Sequence, residues 1–207
     1  MKENVRFETV RMVTTAILAA IIILMAFTPI GYLKTAGLEI TFIQIPVTLG
    51  AILLGPTAGL ILGAVFGISS FIQCFGMSPF GAELLQINPF FTLIVCLVPR
   101  MLMGWLTGVI FKGISKLEKS KNQTVSNIVA SVASPLMNTI FFMSGIVLFF
   151  YNTDYIQSIA TALGSDNFFI FILLFVGING LVEAIACMLI TPALAISLKK
   201  ITAKMKL

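Results

Sequence analysis

Hydrophobic positions along this chain fall into long unbroken runs, with polar residues collected between them. About 20 consecutive apolar residues cross a bilayer core as a helix. On that measure the pattern predicts spans over about 10–28, 44–55, 57–74, 89–111, 127–151 and 168–198. The second is short for a crossing. The sixth is long enough to tilt or to project beyond the bilayer. Gly55-Pro56 reads as a turn between the second and third spans. Three polar stretches, about 29–43, 75–88 and 152–167, read as loops. The apolar runs lack the period-two alternation of a membrane barrel, and lipid offers the backbone no hydrogen bonds, so the spans must be helices. The expected fold is an all-α integral membrane protein. It is a compact bundle of six transmembrane helices, forming a single domain over residues 1–207, with no internal repeat or linker.

Composition agrees with this reading. The chain has 207 residues, 58% hydrophobic and 10% charged, against roughly 25% charged in a soluble domain. Charge then orients the bundle. Of 13 Lys and Arg residues, most lie in three clusters. These are Lys2, Arg6 and Arg11; Lys112, Lys116, Lys119 and Lys121; and Lys199, Lys200, Lys204 and Lys206. Basic clusters beside spans mark the cytoplasmic side. Four spans precede the central cluster and two follow it, so the amino and carboxyl termini share the cytoplasmic face of a cell membrane. The outer loops then carry Glu39, Glu83, Asp154 and Asp166. The net charge of +5 is matched to lipid headgroups rather than to nucleic acid. The first apolar run reads as a retained span, because no small-residue cleavage site follows it.

Several chemistries are excluded. There is no histidine, which removes His-based metal sites, His general bases and Ser-His triads. Cys74, Cys96 and Cys187 have no CxxC spacing and read as small buried hydrophobes. No phosphate-binding loop of the G-x-x-x-x-G-K-[ST] type is present, so any ATP-driven step must reside in another chain. No metal, cofactor or enzymatic activity is expected.

What remains is polar chemistry inside the spans. Arg100 lies about 11 residues into the fourth span and Glu183 about 15 into the sixth, both near mid-depth. An intramembrane ion costs about 2.5–3.5 kcal/mol even on lenient scales, so each needs a partner. They either pair with each other or face a polar cavity and hold a ligand; an Arg fork suits a carboxylate. Asn138 and Asn179 are amides in hydrocarbon that must also be satisfied. Asn179 and Glu183 share a helix face. Gln44, Gln73, Gln86 and Asn88 lie at the outer ends of spans, among aromatics that include Phe71. An interfacial aromatic belt and a pocket for a small amphiphilic anion both account for that cluster. The substrate-binding candidates are therefore Gln44, Phe71, Asn88, Arg100, Asn138, Asn179 and Glu183. Small residues four apart, Ala16 and Ala20 on the first span and Gly59, Gly63 and Gly67 on the third, allow close helix approach. They serve either packing within the bundle or docking of another membrane subunit.

With these residues in view, the chain resembles the substrate-binding S-components of energy-coupling factor (ECF) transporters. The resemblance lies in the six-span plan and in Ala16-x-x-x-Ala20. It continues through Phe42-Ile43-Gln44-Ile45-Pro46-Val47, Gly50-Ala51-Ile52-Leu53-Leu54-Gly55-Pro56 and Gly63-x-x-x-Gly67. It ends with Val98-Pro99-Arg100 and Asn179-Gly180-x-x-Glu183. Within that family the chain looks most like the pantothenate type. The resemblance implies a site open to the outside for a small water-soluble vitamin. It also implies a transmembrane coupling subunit, meeting the small-residue face, and two ATPase subunits. Pantothenate carries a carboxylate, two hydroxyls and an amide, which matches Arg100, Asn138, Asn179 and Glu183. The single tryptophan, Trp105, lies toward the cytoplasmic end, away from any ring-stacking role in the site. The competing reading is a stand-alone proton-coupled carrier, with Glu183 taking the proton and Arg100 the anion. A third is an accessory membrane protein in which the Arg-Glu pair is structural.

Overall fold

The computed structural model describes residues 2–34, 39–118, 123–165 and 167–204. The side chains of 2–7, 33, 34, 39, 178, 179 and 199–204 lie outside that description. Two members of the central basic cluster, Lys119 and Lys121, and Asp166 also fall outside it.

Eight helices and one β-hairpin form among the described residues. In order they are α1 (Lys2–Ala26), β1 (Tyr32–Lys34), β2 (Glu39–Thr41), α2 (Gln44–Leu54), α3 (Pro56–Gln73) and α4 (Pro79–Ile87). Then follow α5 (Pro89–Ser115), α6 (Thr124–Phe150), α7 (Asp154–Ala162) and α8 (Phe168–Lys204). Helix starts are written locally. Proline opens α3, α4 and α5, where its missing N–H is not needed. Asn88 caps α5 by accepting from the N–H groups of Phe90 and Phe91, both at 3.1 Å. Ser78 caps α4 and Thr153 caps α7 in the same way, each satisfying an orphan donor of the first turn.

Five helices contain a stretch long and apolar enough to cross a membrane: Glu8–Ala26, Pro56–Gln73, Pro89–Ser115, Thr124–Phe150 and Gly180–Leu198. Their outward faces are apolar, with Leu148 74% and Leu173 70% exposed, as expected where lipid is the solvent. This is a helical membrane protein.

The structure amends the expectation in three places. The second expected span is the 11-residue helix α2, about 16 Å long at 1.5 Å per residue, roughly half the hydrocarbon thickness. It is buried from Gln44 through Ile52. A helix surrounded by protein on every side need not match the bilayer. Next, the first expected loop is not irregular throughout: β1 and β2 pair antiparallel, with Tyr32 opposite Thr41 and Leu33 opposite Ile40. All-α is therefore not complete. Finally, the two later expected loops hold the short helices α4 and α7. Gly and Pro in the first of these and polar residues in the second read as loop signals, yet each helix is only 9 residues long and fits within such a stretch.

Packing places α3 against α5, α5 against α6 and α6 against α8, with α2 at the centre touching α1, α3, α5, α6 and α8. Two apolar clusters hold this arrangement. Ile22, Val47, Leu62, Phe66 and Met103 join α1, α2, α3 and α5. Leu84, Val95, Met143, Phe150, Ile156 and Phe171 join α4–α8. Between the two clusters the packing opens into a cavity.

Candidate substrate-binding cavity

The cavity has a volume of about 370 Å³, within the range of about 300–1,000 Å³ typical of small-molecule sites. Arg100 and Cys96 of α5, Asn138 and Phe142 of α6, and Glu183 of α8 line it, with Thr41 of the hairpin above them. Phe66 and Ser70 of α3 and Phe80 of α4 also line it.

Arg100 owes its position to the residue before it. Pro99 has no N–H, so the carbonyl of Val95 has no helical donor. The Arg100 Nη1 donates to that carbonyl oxygen at 2.8 Å. The guanidinium carbon lies 4.5 Å from the Phe142 ring centre and 5.5 Å from that of Phe66, within cation–π range. Arg100 is 8% exposed, and its Nε is buried with no hydrogen-bond partner. No carboxylate pairs with it among the described residues. The structure thus sets aside the Arg100–Glu183 ion pair.

Glu183 turns elsewhere. Its Oε1 accepts from the backbone N–H of Thr41 at 2.8 Å, and its Oε2 from Gln44 Nε2 at 2.7 Å. The carboxylate ties α8 to the hairpin and to the start of α2. Gln44 is therefore a positioning partner of Glu183 and does not line the cavity. Asn138 does line it, and its Oδ1 is buried without a partner. Nearby, Gln73 donates to the carbonyl of Ala26 at the end of α1. Thr48 donates to Ser134 at 2.7 Å, satisfying polar groups between α2 and α6.

Two expected site residues are placed elsewhere. Phe71 packs edge-on against Phe75, with ring centres 5.5 Å apart, and Asn88 is spent capping α5. The Asn179 side chain lies outside the described residues; its neighbour Gly180 lines the cavity. Residues not singled out beforehand are Thr41, Phe66, Ser70, Thr139 and Phe142. A signal was available for Phe142, which follows Asn138 by one helical turn and so shares its face.

The glycine stripe is corrected from a docking face to an internal seam. A Cβ at Gly59 would strike the carbonyl of Gly104, one at Gly63 the carbonyl of Arg100, and one at Gly67 would lie 2.8 Å from Leu97 Cα. These glycines bring α3 against α5, and Gly63 does so at Arg100 itself. Ala16 and Ala20, by contrast, are exposed on α1.

A helical membrane bundle enclosing a cavity of largely apolar lining, with a buried cation and an unpartnered amide in its wall, is the architecture of a membrane solute-binding protein. Residues 10–195 match the family described as ECF transporter, substrate-specific component, and the chain belongs to that family. It is a transport protein and not an enzyme. The chain is similar to the protein named pantothenate transporter PanT of Leuconostoc mesenteroides subsp. mesenteroides. That match is 31% identical over 120 residues, spanning 56% of this chain and 55% of that one. It is also similar to the pantothenic acid transporter PanT of Lactococcus lactis subsp. cremoris. There the identity is 28% over 169 residues, covering 77% of this chain and 78% of the relative.

Proposed function

We propose that this chain is the pantothenate-binding subunit of an ECF-type importer. The observation that carries the reading is a buried guanidinium lining the cavity, with an unpartnered Nε and, among the described residues, no carboxylate in salt-bridge contact with it. Such a group is completed by a ligand carboxylate. The names of two relatives support the same vitamin. In this reading Arg100 takes the carboxylate, and the unpartnered Asn138 Oδ1 accepts from the ligand amide or a hydroxyl. Thr41, Ser70 and Thr139 offer hydroxyls to the polar end, while Phe66, Phe80 and Phe142 pack on the dimethyl portion.

The chain crosses the membrane six times in this account, with α2 and the hairpin together making the second crossing, and both termini are cytoplasmic. Lys112 in the last turn of α5 and Lys116 just after it support that orientation. Its partners are a transmembrane coupling subunit, meeting α1 at Ala16 and Ala20, and two ATPase subunits.

Calorimetric titration of the purified chain tests the reading. Pantothenate should bind tightly, and the analogue with CH2OH in place of the carboxylate should bind far more weakly. Equal affinity for the two would overturn the role of Arg100. No binding of pantothenate would overturn the substrate.

A further inference from the structure

Two of the three cysteines are neighbours in the cavity wall. Cys74 is the C-cap of α3, and Cys96 lies one turn before Arg100 on α5. Their Sγ atoms are 3.9 Å apart. Both side chains are buried within the protein, and both line the cavity. Cys187 does not line it. A disulfide requires sulfurs about 2.05 Å apart, so bonding would draw this pair together by about 2 Å. The place where α3 can yield is its end. Cys74 begins the turn 74–77, and Gly76 there has φ +117°, a backbone region open to glycine. The helix α4 rests on the same sulfur, since a Cβ built at Gly81 would come 2.6 Å from Cys74 Sγ.

We propose that Cys74 and Cys96 are a redox modification site that shuts the cavity when oxidised. The proposal rests on the reading of the cavity as the solute site and on the outward-facing orientation given above. Disulfides form and persist on the oxidising side of a membrane, and an outward-opening cavity admits small oxidants from there. With a low-molecular-weight disulfide as oxidant, one cysteine, as thiolate, attacks it and releases one thiol. The second cysteine then displaces the other half as a second thiol. The protein loses two electrons and two protons, and the oxidant is reduced to two thiols. Moving the Cys74 sulfur toward α5 removes the surface on which α4 sits and narrows the space above Arg100.

The experiment treats the whole purified chain with 2-hydroxyethyl disulfide and then cleaves it after glutamate. Glu83 is exposed and lies between the two cysteines, so a bond between them appears as two joined peptides. Pantothenate affinity is titrated before oxidation, after it, and after reduction. The expected result is the joined pair, an affinity lowered about tenfold or more, and recovery on reduction. In Cys74→Ala or Cys96→Ala, whichever folds, oxidation should leave that variant's own affinity unchanged. The proposal is overturned if both thiols stay free to alkylation, or if the joined protein binds as tightly as the reduced one. It is equally overturned if a single-cysteine variant loses affinity on oxidation to the same degree. If the reduced protein does not bind pantothenate, the substrate reading fails separately, and the presence or absence of the joined peptides decides the thiol pair.

Discussion

Replacing Arg100 with glutamine separates ligand binding from fold stability, because the two depend on different contacts of one side chain. In the empty cavity the guanidinium makes one hydrogen bond, to the carbonyl of Val95, worth about 1.5–3 kcal/mol for a charged donor. Its two ring contacts add about 0.5–2 kcal/mol each. Against these stands the cost of a desolvated charge with no carboxylate in direct contact among the described residues, several kcal/mol per ion after relaxation. The opposing quantities are of similar size. Arg100→Gln should therefore change the stability of the ligand-free protein by no more than about 2 kcal/mol. Binding behaves otherwise. Removing one side of a buried charge pair loses about 2–5 kcal/mol, which at 1.4 kcal/mol per decade weakens binding about 30-fold to 4,000-fold. Calorimetric titration of pantothenate, alongside thermal unfolding without ligand, reads both quantities on one preparation. The alcohol analogue closes the cycle: it should bind wild type and Arg100→Gln alike, since neither complex then contains the pair. Arg100→Lys should fall between, keeping charge but losing the planar fork. Near-normal affinity in Arg100→Gln would refute the reasoning, as would a collapse of stability without ligand.

Substitutions at four other positions probe the surrounding structure. Glu183→Ala leaves the Thr41 N–H and Gln44 Nε2 without their acceptor and should cost about 3 kcal/mol or more, with faster amide exchange at Thr41; unchanged exchange there would remove Glu183 from the role of hairpin tether. Glu183→Gln should cost less, since the Gln44 amide can turn its unpartnered Oε1 toward the new donor. Gly63→Val should lower the unfolding temperature through about 1–3 kcal/mol of overpacking, because its side chain meets the Arg100 backbone; an unshifted transition would argue against the seam. Ala20→Trp should abolish uptake by the assembled importer and spare ligand binding by the isolated chain, since a bulky group holds helices apart; loss of both would place that face elsewhere. Glu118 accepts from Ser126 Oγ and from the N–H groups of Ser126 and Val125, and these bonds hold its carboxyl below its ordinary range. A lowered folded pKa gives stability that is present above the unfolded value and lost as pH falls through the folded one. Thermal unfolding of Glu118→Gln should lack that acid-side loss, and identical pH profiles would refute the capping role.

The bilayer made much of this protein legible from its residues alone. Lipid accepts only helices and closed barrels, so five spans stand out as uninterrupted apolar runs whose ends match the helices within about four residues, except that α1 begins earlier, at Lys2, and α8 runs further, to Lys204. The price of an ion in hydrocarbon marked Arg100 and Glu183 for the same reason, and burial of an amide marked Asn138. The resemblance carried by the motifs from Ala16 to Glu183 led to the family to which the chain belongs. Where protein rather than lipid is the surrounding, these signals weaken. The helix α2 is enclosed by its neighbours, so its length is set by them and not by membrane thickness. The hairpin is tethered by Glu183, more than 140 positions away, which supplies an acceptor to Thr41, and no local pattern contains that bond. Depth along a span can be counted, but rotation about it cannot. That is why Arg100 and Glu183 looked like partners at one level, while the fold turns one toward the Phe66 and Phe142 rings and the other toward α2. The glycine stripe shows the same division. Its spacing announces a close approach, and only the tertiary structure decides that α5, rather than another subunit, is what approaches.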